Sequence, residues 1–412
     1  MTENLRIALF SHDSLGLGHI RRNRALAFAL AAQLPELTGR SVSGLLIAGS
    51  PEAARFDLPG GWDWVILPGV TPSAGGYAPR ALASTMEGLK SLRSAAITAV
   101  LEQQQPDLFI VDRHPFGIDG ELTEALGRAR THGTRTVLGL REVLDDPAVI
   151  ASEWARVGGP GAVASAFDEV WIYGDPEVYD PRTTGEVPTE LARLARTTGY
   201  LSLTQREKVA SFADPVLSAA EPFVLTCLGG GSDGAALAER AILAAPPDGH
   251  RHIVVVGPQM QSAEVDRLTR SAPERAHIVR HCPDMPGLIA RAAAVVCMGG
   301  YNTMAEVMAT ATPALVVPRV GHREEQPRRA RALSAAGALE SCLFAEATPE
   351  SLGDWFARWV GSTMSRGHID RSGLHTVPRL AAELLGQVSA VPLATTTARP
   401  HPTLTEEARC AV

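Results

Sequence analysis

The stretch GLGHIRRNRALAFAL, residues 16–30, sets two glycines, a histidine and two arginines at the mouth of an alanine- and leucine-rich helical pattern. An imidazole with an ordinary pKa of about 6.5 takes a proton readily at neutral pH, which makes His19 a candidate general base. Gly16 and Gly18 would let backbone N–H groups approach an anion at a helix start, while Arg21 and Arg22 would either meet phosphate or solvate the helix face. Asp13 and Asp112 are rivals for the proton-transfer role. Asp112 ends the apolar run of FIVDRHPFG, with Glu121 shortly after, and either carboxylate could orient His19 or hold a second substrate.

A second glycine turn lies in FVLTCLGGGSDGAALAER. Further on, MGGYNTMAEVMATATPALVVPRVGHREEQPRRARAL, residues 298–333, collects Gly300, Asn302, Thr303, Glu306, Glu325 and Gln326. There an apolar run ends in glycines, Asn302 or Thr303 is placed to cap a helix, and Glu306 falls in or near its first turn. Carboxylate, amide and helix-start N–H groups together suit a ligand that carries phosphates and hydroxyls. The plainer accounts are a tight strand-to-helix connection for each turn, a macrodipole partner for Glu306, and a solvated helix-start side chain for Gln326.

To bring such groups together, the chain needs parallel strands whose ends share one edge. Apolar β-rich runs over 5–10, 44–48, 64–67, 107–112, 136–140 and 169–173 alternate with helical patterns. The alternation restarts with runs over 223–228, 252–256, 277–279, 294–298 and 314–317, and with helices over 234–244, 302–309 and 325–335. Two doubly wound α/β domains follow, 1–210 and 211–376, joined through the polar stretch 202–222. A C-terminal helix over 377–390 is placed to pack back on the first domain, and 391–412 reads as a disordered tail. The first turn is not a complete dinucleotide fingerprint, because Arg21 stands where the third glycine belongs and no acidic residue ends the second strand. Two glycine turns at the starts of successive domains point instead to a nucleotide cleft between them.

Bulk composition narrows the field. The 412 residues are 45% apolar with a net charge of −7, which disfavours nucleic acid as the main partner. No apolar run approaches the ~20 residues of a membrane span, and Met1 leads directly into a strand pattern, so a cytoplasmic location is expected. The five cysteines form no C-x-x-C pair of the zinc or redox kind. Lys90 and Lys208 are the only lysines among 38 basic residues, a bias that suggests a GC-rich bacterial genome.

In order and spacing, LGLGH at 15–19, LGGGSDGA at 228–235, the run over 278–319 and REEQPRRA at 323–330 resemble GT-B-fold glycosyltransferases of the family 28 type. That group holds the bacterial peptidoglycan N-acetylglucosaminyltransferase and the plant galactolipid synthases. The resemblance implies two Rossmann-like domains facing each other across a cleft, with a nucleotide sugar bound to the second. Gly230, Gly231 and Ser232 would then lie against the diphosphate and His281 beside the base, although the family's aromatic cap is absent at His281-Cys282. Glu306 would bind the ribose hydroxyls, Gly300, Asn302 and Thr303 would approach the phosphates, and Glu325 and Gln326 would face the sugar hydroxyls. His19 occupies the loop where the family carries a candidate base.

The expected reaction is an inverting transfer from a UDP-sugar, or alternatively a dTDP-sugar, to a hydroxyl of a small-molecule acceptor of specialised metabolism. No metal or other cofactor is expected, since Asp145-Asp146 is adjacent rather than a spaced D-x-D. Segment 68–90 reads as a Gly/Pro-rich acceptor-side loop running into a helix. Its Arg80 and Lys90, with Arg93, make too thin a basic patch to favour membrane contact. Two alternatives stay open: a UDP-N-acetylglucosamine epimerase, and a nucleotide-sugar-binding regulator without turnover.

Overall fold

A computed structural model describes residues 4–12, 17–73, 76–202, 215–218, 220–319, 321 and 323–386. Leu5–Phe10 (β1) is apolar on both faces: Ile7 and Leu9 share a cluster with Leu26, Leu30 and Leu34 of Gly18–Thr38 (α1), and Ala8 and Phe10 share another with Ile97, Leu101 and Leu126. A strand covered on both sides belongs to a parallel sheet. Each such wholly buried leucine or phenylalanine stabilises the fold by about 1.5–3 kcal/mol.

The first domain continues with Val42–Ala48 (β2), Trp62–Ile66 (β3), Val70–Ser73 (β4), Gly76–Pro79 (β5), Met86–Gln104 (α2), Leu108–Asp112 (β6), Thr123–Thr131 (α3) and Arg135–Arg141 (β7). It ends with Pro147–Arg156 (α4), Pro160–Ala166 (α5), Glu169–Tyr173 (β8), Thr189–Ala192 (α6) and Ala195–Thr197 (β9). Pro215–Ser218 (α7) precedes Phe223–Cys227 (β10), Ala235–Leu243 (α8), Arg251–Val255 (β11), Ser262–Ser271 (α9), Ala276–Val279 (β12), Met285–Arg291 (α10) and Val295–Cys297 (β13). The chain then runs through Tyr301–Met308 (α11), Ala314–Val316 (β14), Glu325–Ala335 (α12), Glu340–Ser341 (β15), Pro349–Trp359 (α13) and Gly373–Leu384 (α14).

Among the described residues, the first sheet has seven parallel strands in the order β3-β2-β1-β6-β7-β8-β9, and the second has six in the order β12-β11-β10-β13-β14-β15. Each sheet reverses its winding direction once, at β1/β6 and at β10/β13. Open α/β sheets bind ligands outside the strand ends at that switch point. The segments that follow β1, β6, β10 and β13 are therefore the ones that meet at a site.

Residues 70–79 differ from the expected loop. β4 and β5 pair antiparallel, Val70 opposite Pro79 and Thr71 opposite Ala78, so a short hairpin rather than irregular chain precedes α2. The prolines and glycines that masked the strand pattern are tolerated because an isolated hairpin has open edges. α14 begins at Gly373, earlier than the periodicity indicates, and lies against α1, with Gln33 Nε2 donating to the Leu374 carbonyl at 2.9 Å. A single buried cluster runs from Leu9 and Leu30 through Tyr200 and Tyr301 to Leu225 and Val295, so both domains share one apolar continuum. No helix among the described residues is long and apolar enough to cross a membrane. The tail 391–412 and most of the 202–222 stretch lie outside the described residues.

Candidate active site

On the first domain, the switch point brings together His12 beyond β1, Asp112, Arg113 and His114 at the end of β6, and His19 and Arg22 on α1. His19 Nδ1 lies 2.8 Å from Asp112 Oδ2. Arg22 Nη2 reaches Asp112 Oδ1 at 2.9 Å and Oδ2 at 2.7 Å, so the carboxylate is held from two sides. Burial alone would raise the Asp112 carboxyl, but Arg22 and then His19 hold it well below the usual carboxylate range. Two groups face Nδ1: the Asp112 carboxylate, which only accepts, and Arg22 Nη2 at 3.1 Å, which only donates. The shorter, charge-assisted contact to Asp112 favours the proton on Nδ1 and the lone pair on Nε2. Desolvation lowers the His19 pKa below 6.5 against the upward pull of Asp112, which keeps the imidazole neutral and able to accept a proton.

Two more imidazoles stand beside it. The His12 and His114 rings have centroids 3.7 Å apart, and His12 and His19 are 6.0 Å apart. His12 Nε2 meets the Tyr77 hydroxyl of β5 at 3.2 Å. Burial, followed by His19 and Arg113, lowers His12 to about 3, and burial with His12 as neighbour lowers His114 as well. Among the described residues, no group of three or more histidine, cysteine or carboxylate side chains is placed to hold a metal ion.

Across the cleft, the turn after β10 carries Gly231 at φ +90°, where an added Cβ would stand 2.2 Å from the Val256 carbonyl oxygen. Gly230 and Ser232 are exposed on this turn, just before α8. After β13, Gly299 at φ +83° turns the chain into α11, whose N-cap is Gly300 with no side-chain cap. Uncapped N–H groups at a helix start suit an anion. Asn302 and Thr303 are thus inside the helix rather than caps, and Asn302 Nδ2 instead donates to the Gly18 carbonyl at 2.9 Å. Glu306 sits on the second turn, beyond the reach of the N-terminal dipole. Its Oε1 accepts a hydrogen bond from Arg21 of α1.

More ion pairs bind the two lips. Arg141 Nη1 is 2.6 Å from Glu325 Oε2, and Arg319 Nη2 donates to Glu325 Oε1 at 2.7 Å. Burial would raise Glu325, but Arg141, Arg329 and Arg319 hold it down at about 2. The wholly buried Arg329 donates to Glu142 Oε1 at 2.6 Å and to the Gly299 carbonyl at 3.2 Å. Arg323 joins Asp145 and Glu153, each at 2.9 Å.

Residues 225–358 match the model of the glycosyltransferase family 28 C-terminal domain. The chain is 31% identical, over 261 residues, to the UDP-N-acetylglucosamine--N-acetylmuramyl-(pentapeptide) pyrophosphoryl-undecaprenol N-acetylglucosamine transferase of Aeromonas hydrophila, covering 57% of this chain and 70% of that one. The chain belongs to glycosyltransferase family 28. It is an enzyme of the transferase class with a GT-B fold. MurG of Acinetobacter baumannii superposes with a TM-score of 0.54 at 18% identity, covering 92% of this chain and 99% of that one. A putative UDP-N-acetylglucosamine 2-epimerase from Listeria monocytogenes does so with 0.57 at 14%, covering 98% and 100%. At these identities both likenesses speak to the fold alone.

The structure of this family 28 transferase sorts the sequence-derived residues. His19, Asp112, Arg21, Glu306, Asn302 and Glu325 converge on one cleft. Arg22 does not solvate the helix face: it is buried, and its guanidinium pairs with Asp112. Glu121 is fully buried against Arg93, Oε2 to Nε at 2.5 Å, which takes it away from the acceptor and removes Arg93 from any basic surface patch. Gln326 is buried and accepts from the Arg319 backbone N–H at 3.1 Å, so it is not a solvated helix-start side chain. Thr303 is buried and His281 exposed. Gly16 and Asp13 lie outside the described residues. Sequence reading missed His12 and His114, which a survey of polar residues following each apolar run would have found. It also missed Arg141, Glu142 and Arg329, whose pairing spans nearly two hundred residues and leaves no local signal.

Proposed function

We propose that the enzyme moves a sugar from a UDP-sugar to a hydroxyl of a small-molecule acceptor, with inversion and without a metal. The observation that carries this reading is the His19–Asp112 pair, 2.8 Å apart, on the lip facing the glycine turns and Glu306. His19 Nε2 takes the acceptor's hydroxyl proton while Asp112 holds Nδ1–H and stabilises the imidazolium that forms. The acceptor oxygen bonds to the anomeric carbon opposite the diphosphate, and the bonding pair of the breaking C–O bond leaves with the diphosphate. That charge is met by the α11 and α8 N-termini, Gly230, Gly231 and Ser232. Glu306 takes the ribose, His281 flanks the base, Glu325 takes the sugar hydroxyls, and Gly300, Asn302 and Thr303 lie toward the phosphates. The UDP-linked donor in the name of the Aeromonas relative supports UDP over dTDP.

Nucleoside diphosphate release from a panel of UDP- and dTDP-sugars, with and without hydroxyl acceptors, tests the reading. Conjugate formation that survives EDTA and falls about 10²-fold or more in His19→Ala is expected. Unchanged turnover in His19→Ala, or a sugar epimer with no conjugate, would overturn it.

A further inference from the structure

Arg21 and Glu306 belong to opposite domains, on α1 and α11, and their side chains form an ion pair with 36% and 12% exposure. Alongside, Asn302 ties the same two helices through the Gly18 carbonyl at 2.9 Å. Little of the Glu306 carboxylate faces open space, and the guanidinium sits on its Oε1. Two ribose hydroxyls therefore reach it only if Arg21 withdraws. The neighbouring pair repeats the pattern: Arg141 of the first domain lies 2.6 Å from Glu325, the carboxylate assigned to the donor sugar.

We propose that Arg21 exchanges partners during each turnover, pairing with Glu306 until the donor arrives and with the donor diphosphate afterwards. This rests on the nucleotide-sugar reading above. A guanidinium that gives up one carboxylate takes up phosphate with the same planar, bidentate geometry, so its charge is compensated in both states. Arg21 stands two residues after His19 on one helix turn. The exchange thus links donor occupancy to the helix that carries the proposed base. It also makes the diphosphate a requirement for tight binding, since a nucleoside alone reaches Glu306 only by breaking the Arg21 pair and leaves that guanidinium without a counter-charge.

Calorimetric titration of uridine and UDP into the wild type, Arg21→Ala and Arg21→Gln, with thymidine and dTDP as a parallel arm, reads both halves of the exchange. Both variants should bind the nucleoside several-fold more tightly than the wild type. The advantage of the diphosphate over the nucleoside should shrink about tenfold or more, the scale of a lost hydrogen bond to a charged group. Nucleoside affinity that is unchanged or weaker, or a diphosphate advantage that is unchanged, would overturn the exchange while leaving the donor site in place. If neither nucleotide pair binds the wild type, or Glu306→Gln does not weaken uridine binding in the Arg21→Ala background, where no ion pair has to be broken, the donor-site reading falls and the exchange with it. Equal thermal melting of the variants and wild type establishes that the comparison is between folded proteins.

Discussion

Asp112 sits between a buried cation and an imidazole, and both depend on its charge. Asp112→Asn would leave the Arg22 guanidinium buried without a counter-charge, a loss of about 3–5 kcal/mol in stability by the usual scale for a broken buried pair. It would also free the His19 ring to adopt the wrong tautomer. We expect a lower melting temperature together with a fall in kcat of about 10²-fold or more, measured on the folded fraction. Arg22→Ala separates the two effects, because it removes the cation yet keeps the His19–Asp112 bond. A kcat for Arg22→Ala as low as that of Asp112→Asn would count against the orienting role. At this scale the sequence located His19 and Asp112 through their positions at a helix start and a strand end. It misassigned Arg22 and Glu121, because nothing in a local pattern distinguishes a charged side chain that faces solvent from one that enters the core with a partner.

Helices and strands decide which glycines are structural and which are functional. Gly231→Ala puts a Cβ 2.2 Å from the Val256 carbonyl oxygen at φ +90°, and a left-handed alanine alone costs about 1–3 kcal/mol. Gly300 is different: at φ −63° nothing lies within 4 Å of an added Cβ. We therefore expect Gly231→Ala to lose stability in urea denaturation. Gly300→Ala should melt like the wild type while binding UDP more weakly, since only a ligand would meet the new methyl group. Wild-type UDP affinity in Gly300→Ala would remove that glycine from the phosphate site. The alternation of strands and helices was readable because apolar runs and 3.6-residue periodicity are local properties. The β4–β5 hairpin escaped because its prolines and glycines imitate a loop, and the α11 cap was misplaced because Asn302 is satisfied across the cleft rather than by its own helix.

Over the whole molecule, charge pairs across the cleft and neutral buried histidines set the response to pH and mutation. Arg329→Met would strand the buried Glu142 carboxylate and release the Gly299 carbonyl, so about 3–5 kcal/mol of stability should be lost, with a rise in KM for the donor as the turn before α11 loosens. The double variant Glu142→Leu/Arg329→Met should recover much of the stability but not the KM; recovery of both would make the pair a purely structural one. His12 is held near 3 and His252 near 4, both mainly by burial, so the unfolded chain binds more protons than the native one below pH 6.5. Their contribution is fully present above pH 6.5 and is lost as the pH falls toward 3. Glu325, held near 2 by Arg141 and its neighbours, adds a further loss between pH 4.5 and 2. Melting temperature should therefore decline steadily below pH 6.5, and a flat profile down to pH 4 would contradict the buried, neutral state of these imidazoles.

The sequence by itself determined two doubly wound domains, a glycine turn at the head of each, and the strand ends at which polar groups gather. These follow from periodicity, from backbone freedom at glycine and from the requirement that parallel strands point one way. Only the tertiary structure decided which charges meet. Arg21 with Glu306, Arg141 with Glu325 and Arg329 with Glu142 are joined across 285, about 184 and 187 residues of chain. Such pairing is fixed by how the two sheets dock, and no local pattern encodes it.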